Sequence, residues 1–131
     1  MKSTFHALLV AAALCLGSGA ALALDGLRVV DGDTVRLGAE RIRLIGLDAP
    51  ELHGKCREEK RLAERARDRL TALLATDDVE IIRSARLDKY RRTLAIVRAD
   101  GVDVARVLIA EGLARPYHGE RRQSWCARVA P

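Results

Sequence analysis

The chain has 131 residues, with 23 Lys and Arg against 18 Asp and Glu, a formal charge of +5. Residues 1–23 read as a cleavable leader; the remaining 108 carry 22 cations against 18 acids, enough for one modest core and too few for two domains. This basic excess suits a phosphate-bearing partner, although charge alone barely separates that from general solubility.

At the start, Lys2 precedes an apolar run from Phe5 to Leu16, small residues Gly17 to Ala21 follow, and Ala21-Leu22-Ala23 forms an A-x-A cleavage site. The expectation is cleavage after Ala23 and a mature chain, 24–131, in the periplasm or outside the cell. The run is short for a bilayer crossing, and Gly17 and Gly19 interrupt its end. Cys15 follows the bulky Leu14, which argues against a lipid anchor.

In the mature chain, Leu27–Val30 and Thr34–Leu37 flank Asp31-Gly32-Asp33, which predicts a hairpin. After Gly38-Ala39-Glu40, the residues from Ile42 to Leu47 alternate as a third strand does, ending at Asp48-Ala49-Pro50 because proline removes a ladder donor. Residues 52–57 read as a loop. From Glu58 to Ala75, Leu62, Ala66, Leu70, Leu73 and Leu74 fall at helical spacing. Val79–Ile82 and Thr93–Val97 predict two more strands, Asp100-Gly101 a turn, and Asp103–Glu111 a second helix ended by Gly112. Five short strands with an intervening helix suggest a Greek-key β-barrel of the oligonucleotide-binding (OB) type. Repeats, low-complexity tracts and Pro/Gly linkers are missing, so the organisation is that of one unit.

Two cysteines, Cys56 and Cys126, remain after the leader, and export places them where disulfides persist. A Cys56–Cys126 bridge is therefore expected; it would close a loop of about 70 residues and contribute roughly 3 to 4 kcal/mol by restricting the unfolded chain. Zinc-ligand spacing does not surround either cysteine.

Acidic residues cluster where chain geometry could bring them together: Asp33 leaves the hairpin turn, and Asp48 and Glu51 sit at the exit of the third strand. Hard oxygen donors of this kind suit calcium or magnesium rather than zinc. Asp-Gly-Asp is also an ordinary turn, and Asp-Ala-Pro-Glu an ordinary strand terminator. An EF-hand starting at Asp31 fails, because its third acid, its glycine and its closing glutamate would fall on Val35, Arg36 and Ile42.

Three separated motifs agree in order: Val-Asp-Gly-Asp-Thr-Val at 30–35, Arg-Leu-Ile-Gly-Leu-Asp-Ala-Pro-Glu at 43–51 and Asp-Lys-Tyr-Arg-Arg-Thr-Leu-Ala at 88–95. With Glu111-Gly112-Leu113-Ala114, the stretch from Leu27 to Tyr117 resembles the thermonuclease family, the staphylococcal-nuclease-like domain. That resemblance implies an α+β fold, mainly a five-stranded OB barrel with two to three helices, and calcium-dependent cleavage of DNA or RNA to 3′-phosphate products. By the same resemblance, Asp33 and Asp48 are calcium ligands with the carbonyl of Ala49, Glu51 is the general base or water-positioner, and Arg43 and Arg92 grip the scissile phosphate. Lys89, Tyr90 and Tyr117 resemble contacts to the substrate's terminal phosphate. Hydrolysis needs a water aimed in line with the leaving oxygen and positive charge where the transition state gathers negative charge. Arginine's planar pair of donors matches phosphate oxygens better than lysine does.

The sequence departs from the family at Arg91, where a glycine is usual, so backbone freedom at positive φ is lost beside Arg92. The end at Pro131 leaves little room for a long third helix, and Trp125-Cys126 is expected to pin the tail instead. His53 and His118 match no catalytic position. The nucleic acid substrate is the only partner implied, for a monomer with no membrane attachment after cleavage. The alternatives are a non-catalytic nucleic-acid-binding module and a calcium-stabilised envelope protein; only Tyr90, Tyr117 and Trp125 supply mature aromatics for base stacking.

Overall fold

The computed structural model describes residues 24–126; the expected leader and its cleavage site lie outside the described residues. Strands β1 (Leu27–Asp31) and β2 (Thr34–Leu37) form the expected hairpin, with Leu27 opposite Leu37 and Asp31 opposite Thr34. A bulge between Val29 and Asp31 lets the chain turn at Gly32. Strand β3 (Glu40–Leu44) pairs antiparallel with β2, which sets Arg43 opposite Thr34.

The third strand is shorter than its alternation suggests. Gly46 takes φ +87°, in the left-handed region where glycine carries no steric penalty, and the chain leaves the sheet there. Residues Leu47–Asp48 then form their own strand, β4. The cause is a distant partner: β4 pairs antiparallel with β8 (Arg115–Pro116), and the Tyr117 amide donates to the Gly46 carbonyl.

Helix α1 (Arg57–Leu73) follows, with Ala63, Ala66 and Leu70 fully buried on one face. Alanine at two of these positions lets the helix axis approach the sheet closely. Strand β5 runs from Val79 to Leu87, well beyond the expected Ile82, because it pairs along nearly all of β6 (Thr93–Ala99). Strand β6 also pairs with β3 in parallel, joining the N-terminal meander to the later hairpin. After β7 (Val102–Asp103), helix α2 spans Val104–Ala110; its N-cap is Asp103, whose carboxylate accepts the Ala105 amide at 2.9 Å. Gly112, at φ +70°, follows the helix as anticipated.

The main sheet thus has the order β1-β2-β3-β6-β5, with β7 beside β6, and the two helices cover it. This mixed sheet with two helices accords with an α+β, barrel-like fold. Among the described residues no ladder joins the two ends of that path, so the pairing by itself is that of an open sheet. The core comprises Val35, Ile42, Leu44, Leu47, Leu70, Val97, Val104 and Leu108, contributed by both hairpins and both helices. Full burial of a side chain such as Leu70 or Leu108 stabilises by about 1.5 to 3 kcal/mol. No helix among the described residues is long and apolar enough to cross a membrane.

Two local features tie this frame to the site. A Cβ on Gly32 would stand 2.8 Å from the Ala66 Cβ and 2.9 Å from the Ala49 Cβ, so the hairpin turn is wedged between α1 and the end of β4. The sulfurs of Cys56 and Cys126 stand at disulfide distance, as their pairing requires, with Cα atoms 5.9 Å apart. Cys56 is the N-cap residue of α1, so the pair attaches the C-terminal segment to the start of that helix.

Gly32→Ala is expected to destabilise by about 1 to 3 kcal/mol, as overpacking does, measured as a lower urea midpoint; an unchanged midpoint would show that the turn has slack. Mass spectrometry of the unreduced protein after alkylation should find neither Cys56 nor Cys126 modified. Two labelled thiols would refute the bridge.

Candidate active site

The hairpin turn delivers Asp33 to a buried corner. Its carboxylate lies 2.9 Å from the Arg43 guanidinium, and each residue is only 5% exposed. Asp33 Oδ1 accepts from the Thr34 hydroxyl at 3.0 Å, and Oδ2 accepts from the Ala49 amide at 3.3 Å. Arg43 spends its other donors on main-chain carbonyls, those of Leu44 at 3.3 Å and Leu47 at 3.2 Å. Arg41 and Arg43 share a face of β3, yet Arg41 is exposed and Arg43 buried, because only Arg43 lies where the turn to β4 folds over the strand.

Strand β4 brings Asp48 to the same corner. It is 5% exposed, and its Oδ2 accepts the Trp125 indole N–H at 3.3 Å. Oδ1 is buried without a hydrogen bond; the Arg122 Nε lies 3.2 Å away, at ion-pair distance but off the direction a hydrogen bond needs. Burial pushes the Asp48 carboxyl above its usual range, with Arg122 opposing and Asp33 adding to the rise. Asp31, which looked like a plain turn residue, belongs to this cluster: its carboxyl is pushed up to about 6, mainly by burial and then by the charge of Asp33, with a smaller push from Glu51.

Glu51 is exposed at the mouth, where its Oε1 accepts from Arg122 at 3.2 Å. Its loop is held from below by Glu59, a buried carboxylate in the first turn of α1 that accepts the amides of Lys55 at 2.9 Å and Glu51 at 3.4 Å. Gly54 leaves room for Glu59; any side chain there would overlap it.

On the other side, the turn after β5 is organised by Asp88. Its Oδ1 accepts the amides of Tyr90 and Arg92, at 2.9 and 2.8 Å, and its Oδ2 accepts Arg92 Nε at 2.7 Å. Burial opposes ionisation of Asp88, but these hydrogen bonds outweigh it and hold the carboxyl below its usual range. Arg92 Nη1 reaches the Thr34 hydroxyl at 3.4 Å, so a single threonine links Arg92 to Asp33. Arg91 has φ +62°, so the position that usually holds glycine is indeed left-handed here.

Two neighbouring clefts result. One, of about 430 Å³, is lined by Asp48, Ala49, Glu51, His53 and Arg122 among others. The second, of about 470 Å³, is lined by Arg43, Lys89, Tyr90, Tyr117 and Arg122. The cations Lys89 and Arg92 lie 5.0 and 5.5 Å from the Tyr90 ring centroid. The larger cleft beside β1 and the end of α1, about 720 Å³, holds no comparable cluster. The residues singled out from sequence therefore surround one locality, with Arg92 set back behind Thr34. Sequence reading missed Arg122 and Glu59, and gave Trp125 a part in pinning the tail but none beside Asp48. Glu59 falls on the buried face of the helical pattern, which was a usable signal, whereas nothing in a polar tail marks Arg122.

The donor set here is oxygen: two buried aspartates, one with an unsatisfied oxygen, beside the main chain of Ala49. This fits a hard divalent cation, and Asp48 Oδ1 is the atom with spare capacity for it. Cys56, Glu59 and Cys126 also lie close together, with the two sulfurs at disulfide distance from each other.

Comparison with known proteins agrees with this geometry. Residues 41–127 match the family described as staphylococcal nuclease homologue. The chain is 35% identical over 117 residues to the succinoglycan biosynthesis protein ExoI of Rhizobium meliloti (strain 1021), covering 85% of this chain and 61% of that protein. It is 34% identical over 94 residues to the SPbeta prophage-derived endonuclease YokF of Bacillus subtilis (strain 168), covering 67% of this chain and 32% of that one. The chain thus spans less than two thirds of either relative.

Arg91→Gly should relieve the left-handed strain and raise stability by about 0.5 to 1 kcal/mol, net of glycine's greater unfolded freedom. Chemical denaturation measures it; a lower midpoint would mean that Arg91 makes contacts worth more than the strain.

Proposed function

Because the chain belongs to the staphylococcal nuclease homologue family, we propose that it is an exported, calcium-dependent endonuclease that hydrolyses DNA and RNA to 3′-phosphate products. The observation that carries the reading is the convergence of Asp33, Asp48, Arg43 and Glu51 on one corner, with one buried aspartate oxygen left unsatisfied. YokF is named an endonuclease and ExoI a succinoglycan biosynthesis protein. The site favours the first, since its cations and carboxylates are what phosphodiester hydrolysis requires.

Asp33, Asp48 and the carbonyl of Ala49 would hold the calcium, which when bound polarises the phosphate and orients it. Glu51, exposed at the mouth, accepts a proton from the attacking water. The water oxygen bonds to phosphorus, the bond from phosphorus to the 5′ oxygen breaks, and that oxygen takes a proton from solvent water to leave as a hydroxyl. Arg43 and Arg92 oppose the charge that builds on the non-bridging oxygens. For this role Arg43 turns a donor from its carbonyl partners toward the phosphate, and Arg92 reaches forward from Asp88 past Thr34. Lys89, Tyr90 and Tyr117 line the adjoining cleft, where a terminal phosphate and its nucleoside would lie. The same reading includes a mature monomer from residue 24 to 131, closure of the sheet into a Greek-key OB barrel, and a Cys56–Cys126 disulfide that forms on export.

Incubation of the purified protein with plasmid DNA and with RNA tests this, in calcium and in chelator. Cleavage is expected only with calcium, leaving 3′-phosphate ends, and Glu51→Gln and Arg92→Ala should each lose about a hundredfold or more in rate. Retention of nucleic acid without cleavage would turn the reading to a binding module. Undiminished cleavage in chelator would remove calcium from it.

A further inference from the structure

The segment Glu120–Cys126 crosses the mouth of the carboxylate cleft and meets it through three attachments. Arg122 spans the two acids at its rim, with Nε 3.2 Å from Asp48 Oδ1 and Nη1 3.2 Å from Glu51 Oε1. Trp125 donates to the other Asp48 oxygen at 3.3 Å, and its ring lies 3.7 Å from the Arg115 guanidinium, which in turn donates to the Ser124 carbonyl at 3.0 Å. Cys126 stands at disulfide distance from Cys56 at the start of α1. Both oxygens of a buried aspartate are thus faced by the tail, and one of its cations lies between the two carboxylates of the mouth.

We propose that Arg122 is a positioning residue that serves as the site's internal cation: it holds Asp48 and Glu51 in the metal-free protein, and a divalent ion must displace it. The proposal rests on the reading of Asp48 as a metal ligand. Asp48 Oδ1 is the oxygen best suited to a metal, because it is buried without a hydrogen bond and is faced by a guanidinium that gives it none. The Arg122 side chain is 43% exposed, so its ion pairs are screened by water and exchange readily. The rest of the strap is held independently, by the stacked Trp125 and by Cys126. Arg122 therefore swings away while the segment remains, and the freed guanidinium stays beside the second cleft, which it already lines. A dipositive ion at Asp48 supplies the charge that Arg122 supplied, while Glu51 loses its ion-pair partner and becomes free to take a proton. The strap would thus couple metal arrival to release of the base.

The test is titration of the purified, oxidised protein with calcium chloride alone, followed by calorimetry and by emission of Trp125, the only tryptophan in the chain. Wild type, Arg122→Gln, Arg122→Lys and Asp48→Asn are compared. Arg122→Gln should bind calcium about three- to tenfold more tightly, on the scale of exposed ion pairs. Arg122→Lys should lie nearer wild type. Trp125 emission should shift on binding, and Asp48→Asn should abolish both signals. Detectable binding in Arg122→Gln but not in wild type would also support competition. Equal or weaker binding by Arg122→Gln, with a wild type that binds, overturns the role of Arg122 and leaves the nuclease reading intact. Absence of binding in both overturns the metal assignment itself, and this inference with it.

Discussion

A carboxylate and a guanidinium, both buried and 2.9 Å apart, hold the corner on which the rest of the site is built. Taking such a pair out of water costs several kcal/mol per ion, which is recovered only where the remaining donors and acceptors find partners. Asp33 and Arg43 find theirs in the Thr34 hydroxyl, the Ala49 amide and the carbonyls of Leu44 and Leu47. These come from separate chain segments: the hairpin, the end of β3, and the start and exit of β4. The ion pair therefore reports a fold already assembled around it, and its geometry aligns the β4 exit, with Asp48, Ala49 and Pro50, against the hairpin turn.

Around this corner the charges are unevenly matched. Asp31 and Asp48 both sit above their ordinary ionisation range, with burial as the leading cause and neighbouring carboxylates adding to it. Asp88, by contrast, is ionised easily, because Arg92 and two amides grip it. The acid-rich side thus holds carboxylates that burial makes harder to ionise, and the arginine side has its charge tied up in structural contacts.

Helix α1 and the glycine turns supply rigidity rather than chemistry. Glu59 fixes the loop of Glu51 through two amides, and Gly54 and Gly32 are places where a missing side chain lets two segments approach. Had either glycine been read only as a flexible turn residue, its role would have been misjudged, since neither is valued here for a positive φ. The surface bridge between Arg69 and Glu111, although bidentate, joins the two helices in water and contributes little by comparison.

The local chemistry of the chain determined a good deal by itself. Turn residues between β-branched runs specified the first hairpin, apolar spacing specified α1, and the glycine normally found beside Arg92 pointed to the left-handed backbone that Arg91 in fact adopts. The residues at the corner were legible because they cluster in short motifs. Tertiary structure decided what depended on distant partners. The third strand breaks at Gly46 because residues 115–117 pair with residues 46–48, β5 extends because β6 offers it an edge, and Arg43 is buried because the β4 turn covers it. Arg122 is the clearest instance. Its tail has no periodicity, and its partners lie some seventy positions earlier, so only the folded chain, with Cys126 beside Cys56, brings its charge to Asp48 and Glu51. Short-range sterics and hydrogen bonding are written in neighbouring residues, whereas electrostatic contacts between remote segments exist only once the core has closed.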